Sequence, residues 1–170
     1  MYRPKAKGFT LIELLIVLVL IAVITGMALL SMGTADPRDQ QKFEAERLLK
    51  LLELASQDAM VSGEVRGVEF YQHGYRFLGI KQQKWHVEDS DLIFKPREVP
   101  SLMTWALSKN NKRVDLGTMP SFTPTPHLII DPSGGMESFE LSLDREESDT
   151  TFWVANTNEQ GLLLKSVDHP

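Results

Sequence analysis

Apolar and polar positions divide this chain into three stretches with different periods. Residues 14–30 are uncharged and almost wholly apolar. That predicts a helix greasy on every side, at the short end of the roughly 17 to 25 residues that cross a bilayer core. Over 43–60 the apolar residues thin to Leu48, Leu51, Leu52, Ala55 and Ala59, spaced three and four apart. Leu49 and Leu54 widen this stripe, while Lys50, Glu53, Gln57 and Asp58 fall mostly off it, as expected for a helix with one buried face. Between the two stretches, Gly33, Asp36 and Pro37 interrupt the pattern. Asp36-Pro37 fits an N-cap followed by proline at the first helical position, so a second helix starts there or a single long helix kinks.

From Ser62 onward the period drops to two and glycines punctuate the chain. Strands are expected at 65–71 and 75–80 around a Gln72-His73-Gly74 hairpin, with short ones at 85–87 and 92–94. Further strands are expected at 102–107 and 113–116 around Lys109-Asn110-Asn111, where asparagine tolerates positive φ. The remaining ones are 127–130, 138–143, 152–155 and 162–165, with a turn at 131–135 and an extended connection at 120–126. One helical region followed by many antiparallel strands is an α+β order. Trp85, Trp105 and Trp153 fall within these strands and are expected to pack in a core.

Glu13 is the chemical oddity. It stands at the head of the apolar stretch behind Arg3, Lys5, Lys7, Gly8, Phe9 and Thr10, and an ionised acid in hydrocarbon costs about 2.5 to 3.5 kcal/mol even on permissive scales. Such a residue requires a partner. Cutting the chain between Gly8 and Phe9 would supply one, because the new α-amino group of Phe9 titrates near 7.7 to 8.0 and is positively charged at neutral pH. Two plainer readings exist. A secretory signal cut near Gly33-Thr34-Ala35 has the same basic and apolar order, and an uncut single-pass anchor would keep the basic N-terminus cytoplasmic. Neither accounts for the acid.

The run Gly8-Phe9-Thr10-Leu11-Ile12-Glu13 with its apolar continuation resembles the signal of type IV pilins and type II secretion pseudopilins. Residues 55–77, 130–133, Phe152-Trp153-Val154 and Gly161 extend the resemblance to the GspH/FimT family of minor subunits. It implies a pilin-like α+β fold, with a long, partly transmembrane N-terminal helix packed on an antiparallel two-sheet β domain. The implied organisation is a basic leader over 1–8, removed by a prepilin peptidase, and a membrane and filament-core helix over 9–32. An amphipathic continuation over 33–61 and a periplasmic β domain over 62–170 follow. Gly8 and Phe9 flank the cleaved bond, Phe9 is N-methylated, and Glu13 is the charge partner during assembly. The implied partners are the major pseudopilin, other minor pseudopilins, the peptidase and the inner membrane, with the C-terminal domain in the periplasm. No cofactor or small-molecule substrate is implied. A second reading within the resemblance is a FimT/FimU-like minor pilin of a type IV pilus that contacts DNA.

Charge bears on that second reading. The chain carries −5, and losing the three leader cations makes it −8, so phosphate backbones are repelled unless bases cluster. Lys109, Lys112 and Arg113 form the candidate cluster, which a solvated hairpin tip also explains, so nucleic acid is not the expected partner. Cysteine is absent, which leaves the fold to its core. His73, His86, His127 and His169 lack metal-ligand spacing, and the acidic run 144–149 lacks the glycine-spaced loop of calcium sites. No nucleophile elbow, P-loop or dinucleotide fingerprint occurs. A signal-anchored periplasmic enzyme therefore has no visible site, and the expectation is a non-enzyme.

Overall fold

The computed structural model describes residues 9–31, 36–146 and 148–169. The chain forms two compact units, Met1–Ala35 and Asp36–Pro170. In the first, helix α1 runs Leu11–Ser31. In the second, α2 runs Pro37–Ser62. The junction on which a single continuous helix depends lies at 32–35, outside the described residues. The second unit begins at Asp36 and so includes α2, which supplies one wall of its core.

The start of α2 follows from its residues. The Asp36 carboxylate accepts the Arg38 amide at 3.0 Å, Pro37 occupies the first turn, and Gly63 ends the helix at φ 69° with its amide bonded to the Ala59 carbonyl. The left-handed conformation at a helix C-terminus favours glycine. All five residues of the expected stripe are buried, joined by Gln41, Glu44 and Ala45. Leu49 packs against the core. Leu54 does not, and points to solvent, because it lies on the face turned away from the Leu48–Leu52–Ala55 line.

Two antiparallel sheets complete the unit. The first contains β1 (Arg66–Tyr71), β2 (Gly74–Lys81), β3 (Lys84–Val87), β4 (Arg97–Glu98) and, in chain order after the next pair, β7 (Leu128–Ile130). Its order is β3-β2-β1-β7, with β4 also pairing β2. The second contains β5 (Met103–Lys109), β6 (Lys112–Val114), β8 (Phe139–Arg145), β9 (Thr150–Thr157) and β10 (Gly161–Asp168), ordered β10-β9-β8-β5-β6. Helix α2 contacts β8, β9 and β10 of one sheet and β1 and β7 of the other. The core lies where these three layers meet, with Leu48, Leu52, Phe70, Tyr75, Trp105 and Leu141 among its fully buried side chains. Tyr75 stands edge-on to Phe77 and Trp105, ring centroids 6.1 and 6.3 Å apart.

Most expected hairpins are present. Asn110 and Asn111 take φ of 51° and 59°, and Lys109 pairs Lys112 across them, the two-residue turn in which both central residues need positive φ. A second such turn has no glycine or asparagine to signal it: Gln82 and Gln83 adopt φ of 51° and 62° between β2 and β3. The expected strand at 92–94 is instead a turn. Asp91 explains it, since its carboxylate accepts the Ile93 and Phe94 amides at 2.6 and 3.2 Å, giving the backbone a local alternative to a ladder. Trp105 is buried as expected, whereas Trp85 and Trp153 are half-exposed.

Candidate functional site

The N-terminal segment singled out by sequence begins, within the described residues, at Phe9; Gly8 lies outside them. Phe9 and Thr10 precede the helix, and Phe9 is largely exposed. The Glu13 amide donates to the Thr10 carbonyl at 3.1 Å and to its hydroxyl at 3.3 Å. Thr10 is thus the N-cap, and Thr10-Leu11-Ile12-Glu13 has the spacing of a capping box. Sequence reasoning fixed on the charge of Glu13 and passed over this signal. The carboxylate sits in the first turn of α1, where the helix dipole favours negative charge. Glu13 therefore has a local role in starting the helix beside any role between subunits.

Beyond Glu13, every described α1 side chain through Met27 is exposed, Gly26 alone being half-covered. A helix apolar on all sides needs a cover outside its own unit, either lipid or other helices. Among the described residues, no helix is long and apolar enough to cross a membrane.

In the second unit, buried charge is used internally. Glu44 pairs with Arg47 on α2; burial pushes its carboxyl up, against the opposing pull of Arg47 and Arg97. Burial also pushes the Tyr75 phenol up. Glu69 on β1 is buried, which alone would raise it, yet hydrogen bonds from Ser121 and Arg76 hold it below the usual carboxylate range. Gln41, fully buried, donates to the carbonyls of Leu143 and Thr150 at 2.7 and 2.9 Å. It closes the gap where the β8–β9 ladder ends at Leu143↔Phe152.

The four histidines are separately engaged. His127 Nδ1 accepts the Phe70 amide at 3.0 Å, and burial lowers its pKa. His73 Nδ1 lies 2.9 Å from the Met103 carbonyl, His86 Nε2 3.2 Å from Glu88, and His169 Nε2 3.0 Å from the Thr151 hydroxyl. Among the described residues no group of three or more His, Asp or Glu converges as a metal set would. In the expected acidic loop, Asp144 is part of β8 and accepts the Thr151 hydroxyl. The basic cluster is also partly committed, since Lys109 pairs with Glu137 and donates to the His127 carbonyl, while Lys112 and Arg113 are exposed. The Asp131–Gly135 turn is closed by its own bonds, with the Ser133 amide 2.7 Å from the Asp131 carboxylate.

Residues 3–29 match the family described as the prokaryotic N-terminal methylation motif. Over 149 residues the chain is 32% identical to type II secretion system protein H of Pseudomonas aeruginosa, covering 81% of this chain and 83% of that one. It is 26% identical over 162 residues to the protein of the same name from Aeromonas hydrophila, covering 89% and 88%. Among solved structures it resembles the minor pseudopilin EpsH of the Vibrio cholerae type 2 secretion system, with a TM-score of 0.62 and 20% identity over 74% of this chain and 94% of that one. The solution structure of Escherichia coli GspH gives 0.57 and 18%, over 81% and 94%. These two likenesses establish the fold.

Proposed function

This chain belongs to the type II secretion system protein H family, and from that premise we propose that it is a minor pseudopilin at or near the tip of a periplasmic pseudopilus. The observation that carries the reading is the pairing of an all-round apolar, exposed α1 with a separate unit that buries its own core. The second unit is self-sufficient; the first is incomplete alone. A prepilin peptidase cuts after Gly8, Phe9 becomes the N-methylated terminus, and α1 waits in the inner membrane with the leader cytoplasmic and the unit from Asp36 periplasmic. The uncharged stretch of α1 is short for a permanent span, which suits a segment that leaves lipid when subunits stack. During stacking, Glu13 pairs with the Phe9 amine of a neighbour, and the cost of leaving either charge alone in an apolar core fixes the axial register.

Its work is assembly, with the major pseudopilin and the other minor pseudopilins as partners. Buried Gln41 and Glu69 of the second unit bind other parts of that unit, the β8–β9 end and Ser121. Deleting the chain in its own bacterium tests the reading. Exported proteins should accumulate in the periplasm and return to the medium on complementation, with pilus-dependent DNA uptake unchanged. Normal secretion with lost DNA uptake would replace this reading with the FimT/FimU-like one, for which Lys112 and Arg113 are the exposed members of the Lys109–Arg113 cluster.

A further inference from the structure

Between β6 and β7 the chain passes over the face of β1 that is turned away from the core. The ten residues 117–126 read Gly-Thr-Met-Pro-Ser-Phe-Thr-Pro-Thr-Pro and contain no charge, in a chain where 24% of residues are charged. Their two most apolar side chains point outward. Phe122 is fully exposed and Met119 is 77% exposed.

The segment is nevertheless held in one shape. At its start, the Gln72 amide donates to the Gly117 carbonyl at 2.9 Å. At its end, Pro126 lies so close to β1 that a Cβ on Gly67 would come within 2.8 Å of its ring, and the His127 amide donates to the Val68 carbonyl at 2.8 Å. In the middle, buried Glu69 accepts the Ser121 amide at 2.9 Å and lies 2.5 Å from its hydroxyl. Arg76 ties the same point twice, to the Glu69 carboxylate at 2.8 Å and to the Ser121 carbonyl at 2.6 Å. A buried ion pair beneath the strap therefore fixes the residue next to Phe122, and three prolines restrict the backbone around it.

We propose that residues 117–126 form a preorganised docking strap whose Phe122 and Met119 enter an apolar pocket on the globular part of a neighbouring, different pilin-like subunit. Interface centres are depleted in charge and enriched in aromatic residues and methionine, which is the composition of this strap. Its rigidity selects among occupants. A fixed aromatic knob loses little freedom on docking and suits one permanent partner, whereas exported proteins of many shapes require a flexible, repacking surface. A lipid surface is disfavoured because the strap offers no cation to anionic headgroups.

This inference rests on the reading of the chain as a pseudopilus subunit, and the test separates the two. A photoreactive benzoylphenylalanine is placed in the full chain, in its own bacterium, at Phe122, at Ile16 in α1, or at exposed Glu159 as background. The adducts are identified by mass. The strap inference expects the Phe122 probe to join a different protein that carries its own N-terminal methylation motif. It also expects Phe122→Ser with Met119→Ser to reduce recovery of that protein with this one by roughly tenfold or more, the scale of truncating an interface hot spot, without changing thermal stability. Adducts with a second copy of this chain, with exported protein or with lipid, or a yield no higher than at Glu159, overturn the inference. If the Ile16 probe still captures pilin-like subunits in that event, the subunit reading stands; if both probes capture none, the subunit reading itself fails.

Discussion

Glu13 meets two environments in this account. In the single chain its amide is capped by Thr10 and its carboxylate faces solvent or lipid at the helix start. In the proposed filament its partner is the Phe9 amine of a neighbour. Glu13→Leu removes an unfavourable charge from the apolar helix that is proposed to rest in lipid, so insertion and cleavage should persist, as should the thermal stability of the unit from Asp36. Incorporation should fail, because a buried pair broken on one side costs on the order of 3 to 5 kcal/mol. Crosslinked cells report this as loss of the subunit from its partners, and full incorporation would remove Glu13 from the assembly mechanism. His127 gives a second residue-scale expectation. Its Nδ1 must be unprotonated to accept the Phe70 amide, and burial holds its pKa below the ordinary value, which is about 6.5. Folding therefore favours the neutral ring. The stability it contributes is complete above about pH 6.5 and declines as pH falls from there through the folded value. His127→Asn keeps an acceptor at that place without a titrating ring. Thermal melts of the wild type should weaken between pH 7 and 5 by more than those of the variant; equal slopes would contradict the assignment.

Helix α2 and the turn at 131–135 are joined by contact too close for a side chain. Gly134 sits at φ 81°, and a Cβ there would come within 2.8 Å of Ser56 Oγ and 2.9 Å of Met60, while the Ser56 hydroxyl donates to the Gly134 carbonyl at 2.7 Å. Gly134→Ala should cost about 1 kcal/mol or more from the positive φ alone, and urea unfolding of residues 36–170 measures it. An unchanged midpoint would mean that the turn moves freely off the helix. The sequence supplied the turn at Asp131–Gly135, but not the helix against it. The same division holds throughout. The α2 stripe, the Asp36 cap and the Asn110-Asn111 hairpin were legible because each depends on residues within a few positions. Gln41 and Glu69 were not, because the groups that hold them inside lie far along the chain: the Gln41 side chain donates to carbonyls more than 100 residues away, and Glu69 accepts from Ser121, 52 residues on. The mistaken strand at 92–94 is the opposite case, a strand-like run overridden by one local carboxylate, Asp91.

At the scale of the molecule, two units have different needs. The unit from Asp36 buries its core between α2 and two sheets, while α1 leaves its apolar surface to be covered by something else. A filament subunit that begins in lipid and ends among helices needs this division, and under the proposed function a new N-terminus at Phe9 neutralises Glu13. The N-terminal methylation motif was legible in sequence because it lies in one short run; the strap at 117–126 was not, since it is held by Glu69 and Arg76 beneath it. Mass spectrometry of the intact protein extracted from its own membranes bears most directly on the whole account. The expected result is one mature species, lacking residues 1–8 and carrying one additional methyl group on the Phe9 amine. A chain still beginning at Met1, or one beginning near Asp36 with the apolar helix removed, would contradict it.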